Sequence, residues 1–476
     1  MARILVLVCS LSFGLLAGGL RSGLAAENKQ PNILFILVDD LGKEWISSYG
    51  AEGIKTPVID QLAATGMKFN NAWCMPQCTP TRVTLLTGQY PFRHGWTNHW
   101  DVPRWGAGAH FDASLNATYA NVLREAGYAT CAAGKWQIDD FRVEPSAMHQ
   151  AGFDAWCMWT GYESGNPASE NRYWDPFINT QGQGSKTHKG KFGPDVYCDY
   201  LIDFIGEHRD QPMLLYFPMA LTHGPLTTTP DNKHAQDKRE LFVGMVRYTD
   251  KLIGRLVTAL DKENLRGNTI IVFTTDNGTG AGNRNSRLGR VVRGGKAKMT
   301  EQNGTAQPFI VNCPGKVPAG TETDALVDFT DILPTFTELG SGKIPDNAVV
   351  DGQSFAALIL GQAEDGPRSW IMSMGGGPAA LRRGRVVPKL PYDDRVLRDK
   401  RFKLWIGTDR QPEKLFDLAS DPWEEQNLID SQDPAAVESL KRLSAIAAGF
   451  PWLLCFESRY GVIKFVSRVA SMLSGS

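Results

Sequence analysis

Four unbroken apolar runs limit most tightly what this chain can fold into. NILFILV (32–38), MLLYFPMA (213–220), TIIVFTT (269–275) and PFIVNCP (308–314) are rich in Ile, Leu, Val and Phe, with no alternation of polar and apolar residues. A half-exposed strand alternates, so these runs predict strands buried on both faces, as in a parallel sheet covered by helices. Segments of helical period separate them: TPVIDQLAATG (56–66), TYANVLREAGY (118–128), YCDYLIDFIGEH (197–208) and GMVRYTDKLIGRLVTALDKE (244–263). The alternation predicts an α/β fold, a large mixed, mostly parallel sheet flanked by helices.

In such a sheet, ligands gather outside the carboxyl ends of the strands. NILFILV ends in Asp39 and Asp40, and TIIVFTT in Asp276 and Asn277. YATCAAG, a weaker strand candidate, is followed by Lys135, and LLYFPMAL by Thr222, His223 and Gly224. Three carboxylates and an amide oxygen make an oxygen cage that suits Ca²⁺, or less well Mg²⁺; zinc would call for His or Cys. Alone, either pair reads as a capped turn. Their joint placement at two buried strand ends favours the cage.

The stretch CMPQCTPTRVTLLTG (74–88) runs into a predicted helix at Cys78. The positive end of a helix and a nearby Arg82 both favour a thiolate there. A disulfide to Cys74 is the alternative, made awkward by Pro76 and the short spacing.

The chain has 476 residues, 42% hydrophobic and 21% charged, which suits a folded core. Fifty basic against 51 acidic residues leave a net charge of −1, so no global attraction draws the chain to nucleic acid or an anionic membrane. One arginine, an apolar run from Ile4 to about Leu20 and then small residues read as a signal peptide over 1–26. An uncleaved anchor is the other reading, although the run is short for a membrane span. Export to the periplasm or the medium, with no span in the mature chain, is the expectation. Of the eight cysteines, Cys9 would leave with the signal peptide, and the odd remainder leaves at least one unpaired.

The α/β domain is expected over 30–365. Gly and Pro break the pattern near 361–379. DKRFKLWIG and EKLFDLASDPWEEQNL then suggest a smaller C-terminal α+β domain over 366–446, with two antiparallel strands and a closing helix. The apolar tail, 447–476, has no assigned role.

CTPTRVTLLTGQYPFRHG resembles the sulfatase signature, Cys-x-Pro-x-Arg followed by a leucine-rich turn and Thr-Gly. The resemblance covers most of the chain. KQPNILFILVDDLG, AGKWQ, LTHGPL, FTTDNG, GGKAKMTEQNGTAQPFIVNCPG and FKLWIG with EKLFDLASDPWEEQNL are similar to further family segments, in family order. It implies a hydrolase of sulfate esters, of the formylglycine-dependent type related to alkaline phosphatase, in which a maturation enzyme oxidises Cys78 to formylglycine. Position by position, it implies that Asp39, Asp40, Asp276 and Asn277 bind one Ca²⁺, with the oxidised Cys78 also facing the ion. Arg82, Lys135, His223 and Lys296 would surround the sulfate. Lys296 is preferred to Lys298 for its spacing to Glu301.

Two departures from the family pattern stand out. Gln137 occupies the place of a family histidine that touches the hydrated aldehyde, and glutamine cannot take a proton at neutral pH. His94 or His99 would then take it, or sulfate would leave slowly. EQNGTAQP departs from the usual Glu-Gly-Gly and arginine, which puts that loop's geometry in question.

Arg284, Arg287, Arg290, Arg293 and Lys296 recur every third residue in a glycine-rich stretch expected as a loop. They read either as a solvated loop or as a rail for a sulfated glycan. Trp96, Trp100 and Trp105 read as sugar-stacking or core residues; Trp156, Trp159 and Trp174 read as packing. The expected substrate is a sulfated small molecule or carbohydrate. The alternatives are a phosphodiesterase or phosphonate monoester hydrolase on the same scaffold, or a catalytically impaired glycan-binding relative. Two-metal phosphatases use several histidines, and only His223 sits at a strand end here.

Overall fold

The computed structural model describes residues 30–450, apart from 95, 97–110, 112, 115, 143, 162, 164–165, 300, 376–378, 383–384 and 389–393. The expected signal peptide, His99, Trp100, Trp105 and the tail beyond 450 lie outside the described residues. No described helix is long and apolar enough to cross a membrane.

Ten strands form the main sheet: β1 (Asn32–Val38), β2 (Met67–Trp73), β3 (Ala129–Lys135), β4 (Ala155–Trp159), β5 (Phe177–Thr180), β6 (Gly184–Thr187), β7 (Met213–Pro218), β8 (Thr269–Thr275), and, after a hairpin of β9 (Arg284–Arg287) and β10 (Arg290–Arg293), β11 (Ala306–Asn312) and β12 (Thr321–Asp328). Their spatial order is β12-β2-β11-β8-β1-β7-β3-β4-β5-β6. The centre, from β8 to β4, is parallel. The α/β expectation holds, with one correction. The run at 308–314 belongs to β11, which is antiparallel to both neighbours. Burial on both faces makes a strand apolar whatever its direction, so the pattern is silent on polarity.

The helices are α1 (Pro57–Ala64), α2 (Cys78–Thr87), α3 (Pro91–His94), α4 (Tyr119–Glu125), α5 (Ala147–Gln150), α6 (Gly193–Glu207), α7 (Lys238–Lys262), α8 (Gln302–Thr305), α9 (Ile332–Leu339), α10 (Ala356–Ile359) and α11 (Pro434–Ala448). α7 starts where the Asp237 side chain accepts from the backbone N–H groups of Arg239 and Glu240. Alternate residues of β1 feed two cores. Ile33, Phe35 and Leu37 pack with residues of α2, α4 and α9, while Leu34, Ile36 and Val38 pack with α1, α6 and α7.

The C-terminal part is a four-stranded antiparallel sheet, β13 (Ile371–Met374), β16 (Arg395–Arg398), β17 (Phe402–Ile406) and β18 (Pro412–Asp417), covered by α11; β14 (Ala379–Arg382) and β15 (Arg385–Pro388) pair separately. The larger of these two sheets holds two more strands than the sequence pattern suggested, and the β14–β15 pair adds another two. It grips the chain around Cys78: Ser373 Oγ donates to Cys74 O at 2.8 Å, and Asp328 accepts from both Tyr90 Oη and Met372 N.

Candidate active site

β1 and β8 are parallel neighbours with Val38 opposite Thr275, so their next residues emerge side by side. Asp39, Asp276 and Asn277 are wholly buried and Asp40 nearly so. Asp40 turns the chain with φ 58°, in the left-handed region, and its N–H faces Asp276 Oδ1 at 3.3 Å. Asn277 spends its amide nitrogen on Asp40 Oδ1 at 2.6 Å and on Gly278 O at 2.9 Å. Its Oδ1 remains, buried and without a hydrogen-bond partner, and so does Asp39 Oδ1. Leaving a buried acceptor unsatisfied costs about 1–3 kcal/mol. The ligand atoms of Asp39, Cys78 and Asp276 lie within 4.8 Å of one another, as do those of Asp39, Asp40 and His223. Orphaned oxygens among carboxylates fit a hard divalent cation.

Cys78 is the first residue of α2, 3% exposed, with Sγ 3.4 Å from Gln137 Oε1. Cys74 and Cys78 are both free thiols, so the disulfide alternative does not describe this structure. Burial pushes the Cys74 thiol far up, with Asp276 adding to it, which separates it chemically from a reactive position. Gln137 itself sits at φ 59°.

Cations surround the cage. One turn into α2, Arg82 donates from Nε and Nη2 to Asp276 Oδ2 at 3.1 and 2.7 Å, and from Nη1 to Lys135 O at 3.0 Å. Lys135, at the end of β3, places Nζ 2.5 Å from Asp39 Oδ2. Lys296 Nζ lies 2.6 Å from Asp40 Oδ1, whereas Lys298 pairs with Glu301 at 2.5 Å. His223 Nε2 is 3.8 Å from Asp40 Oδ2, and its Nδ1 is 2.7 Å from Gly224 O.

These contacts set the charges. Burial alone would raise Asp39, but Lys135, His223, Arg82 and Lys296 outweigh it and hold the carboxylate well below its ordinary range. Asp276 is pushed up to about 7 by burial and by Asp39, against the pull of Arg82. Burial would depress Lys296, yet Asp40, Cys78 and Asp39 together raise it, so it carries its proton at neutral pH. His223 is pushed down to about 4 by burial and by Lys296.

Arg172 was missed in the sequence. It stacks on the Trp159 ring at 4.1 Å and brings Nη1 to 3.1 Å from His223 Nδ1. It lies in NRYWD, a loop with no periodic or motif signal. His94, in turn, does not fit the role of proton acceptor. Its Nδ1 accepts from Trp96 N at 3.1 Å and its Nε2 meets Thr84 Oγ1 at 3.0 Å, so both nitrogens are taken. Trp96 is buried in the core.

The arginine row is corrected as well. Arg284 to Arg293 form an antiparallel hairpin in which Arg284 opposes Arg293 and Arg287 opposes Arg290. Side chains alternate faces along a strand, so a spacing of three splits the row between two faces. Arg287 turns inward to Tyr49 O at 2.8 Å, and Arg290 pairs with Glu425 at 2.6 Å.

Residues 31–342 match the sulfatase family profile, and the chain belongs to the sulfatase family. It is accordingly a sulfuric ester hydrolase. Arylsulfatase A of Bos taurus is 28% identical over 478 residues, covering 92% of this chain and 91% of its own. The N-acetylgalactosamine-6-O-sulfatase of Bacteroides thetaiotaomicron is 28% identical over 488 residues, covering 88% of this chain and 93% of its own. The crystal structure of Ps i-CgsB superposes with a TM-score of 0.71 at 25% identity, covering 87% of this chain and 93% of its own.

Proposed function

We propose that this enzyme hydrolyses a sulfate ester of a carbohydrate, with formylglycine made from Cys78 as nucleophile and one Ca²⁺ held by Asp39, Asp40, Asp276 and Asn277. The observation that carries the reading is the pair of orphaned oxygens, Asp39 Oδ1 and Asn277 Oδ1, in a cage that also reaches Cys78 Sγ. Ca²⁺ there would supply Lewis acidity toward a sulfate oxygen. Oxidised and hydrated, position 78 would supply two hydroxyls, one to attack sulfur and one to release sulfate afterwards. The chain's own groups do the rest. Lys135 and Arg82 neutralise Asp39 and Asp276 and keep the cage rigid. Lys296, held protonated by Asp40, gives its proton to the departing alcohol, and His223 stands beside it with Nε2 3.8 Å from Asp40 Oδ2. Gln137 positions the hydroxyl nearest it without removing a proton. A carbohydrate substrate is supported by the Bacteroides relative, named for N-acetylgalactosamine 6-O-sulfate. Export behind a signal peptide and maturation by a formylglycine-generating enzyme complete the proposal.

Peptide mass spectrometry over residues 74–88 tests it, with formylglycine at position 78 the expected result. Turnover of 4-nitrophenyl sulfate should exceed that of the corresponding phosphate and phosphodiester. Faster turnover of either phosphorus ester would favour a phosphohydrolase. Glycan binding without turnover, despite formylglycine, would favour an impaired relative.

A further inference from the structure

The β9–β10 hairpin is tied to the catalytic cage at both ends: the chain leaves the sheet after Thr275 through Asp276 and Asn277, and comes back to the cage at Lys296 before re-entering the sheet at Ala306. Lys296 N donates to Thr279 O at 3.0 Å and Gly294 N to Asn283 O at 2.8 Å. A Cβ at Gly280 would lie only 3.9 Å from Asp40 Oδ2. The residues at the hairpin's base, nearest this cage, are Arg284 and Arg293, directly opposite each other and both exposed. Arg293 Nε donates to Ala281 O at 2.9 Å, which lays its guanidinium along the loop that leads to the cage. Arg239, at the start of α7, bonds Arg284 O at 2.9 Å and the inward-facing Asn285 Oδ1 at 2.8 Å and lies over the Trp45 ring, so it sits on the other face of the hairpin.

Among the described residues, neither the Arg284 nor the Arg293 guanidinium has a carboxylate partner, while Arg290 of the same hairpin does. Like charges directly opposite on one face of an antiparallel pair oppose folding. An anion placed over them would relieve the repulsion, and the guanidinium fork matches sulfate and carboxylate oxygens.

We propose that Arg284 and Arg293 form an anion subsite beside the cage, which takes a second sulfate or a carboxylate on a sugar next to the one that is desulfated. The substrate is then a polyanionic oligosaccharide, held at two points, rather than a single sulfated sugar. This rests on the sulfate-ester reading above.

Calorimetric titration of the full chain with a heparin-derived tetrasaccharide, and separately with glucose 6-sulfate, tests the subsite without depending on turnover. The wild type should bind the tetrasaccharide more tightly, with a steeper loss on added salt. Arg284→Ser with Arg293→Ser should weaken the tetrasaccharide about tenfold or more, the scale of one charge-assisted hydrogen bond. Glucose 6-sulfate should shift less than about twofold, well inside the worth of one such bond. Arg284→Lys with Arg293→Lys should retain most of the salt dependence. The proposal is overturned if the wild type shows no preference, if the serine pair weakens both ligands equally, or if it melts below the wild type, which would make the arginines structural. 4-Nitrophenyl sulfate turnover is followed in parallel: its absence strikes the sulfate-ester reading, and a lost preference in calorimetry strikes the subsite.

Discussion

Arg82→Leu probes the electrostatic frame of the site. The Arg82 side chain is 1% exposed and the Asp276 side chain 0%. Leucine replaces the buried stem but leaves Asp276 Oδ2 without two donors and Lys135 O without one. Removing one partner of a buried, hydrogen-bonded ion pair costs about 3–5 kcal/mol. Unfolding entropy near 60 °C is about 2.1 cal/mol/K per residue. Over 476 residues that is about 1 kcal/mol/K, so the melting temperature should fall by about 3–5 °C. The melt is recorded at about pH 9, above the value of about 7 to which Asp276 is pushed so that the pair is ionised, and in EDTA, so that loss of a bound ion adds nothing. Arg82→Lys keeps the charge but cannot span both Asp276 and Lys135 O, and should fall between the two. A shift below about 1 °C for the leucine variant would refute the reasoning, because Asp276 would then be solvated or paired elsewhere.

Replacing EDTA by Ca²⁺ at about 100 times its Kd should stabilise the protein by about 2.7 kcal/mol. Asn277→Ala should shrink that gain; an equal gain in both proteins would place the ion elsewhere. Burial holds His94 at about 3, far below its ordinary value. Between that value and about 6.5 the unfolded chain binds the extra proton, so His94 lowers stability as pH falls, by about 1.4 kcal/mol per unit at most. His94→Gln should flatten the stability profile from pH 4 to 6, and an unchanged slope in chemical denaturation would count against it. Gln137→His places a titrating base where Oε1 now meets Cys78 Sγ. If release of sulfate limits the native enzyme, kcat should rise up to about 100-fold with a new inflection near pH 6.5; a flat profile would show that release is not limiting.

Much of the frame was legible locally. The runs at 32–38 and 269–275 read as doubly buried strands because every residue in them is apolar or Thr/Asn that can be buried, and both are wholly buried. Other features were not legible. The strands at 67–73 and 321–328 carry Lys, Asn, Asp and Glu in their sequence, and read as no strand until their neighbours in the sheet supply the pairing. Arg172 has no local signature because its meaning comes from Trp159 and His223, which sit on other elements. The arginine spacing suggested one rail, since only the hairpin register shows which side chains share a face.

Sequence alone determined which residues end the buried strands, and so that Asp39, Asp40, Asp276 and Asn277 would emerge at one rim of a sheet: hydrophobic pattern is a short-range property, and it marks where burial stops. Tertiary structure alone decided that β1 and β8 lie side by side, that Cys78 arrives at the same rim on α2, and that Lys296 rather than Lys298 reaches Asp40. Those are contacts between segments far apart in the chain, and only the packing of the whole sheet and its helices selects them.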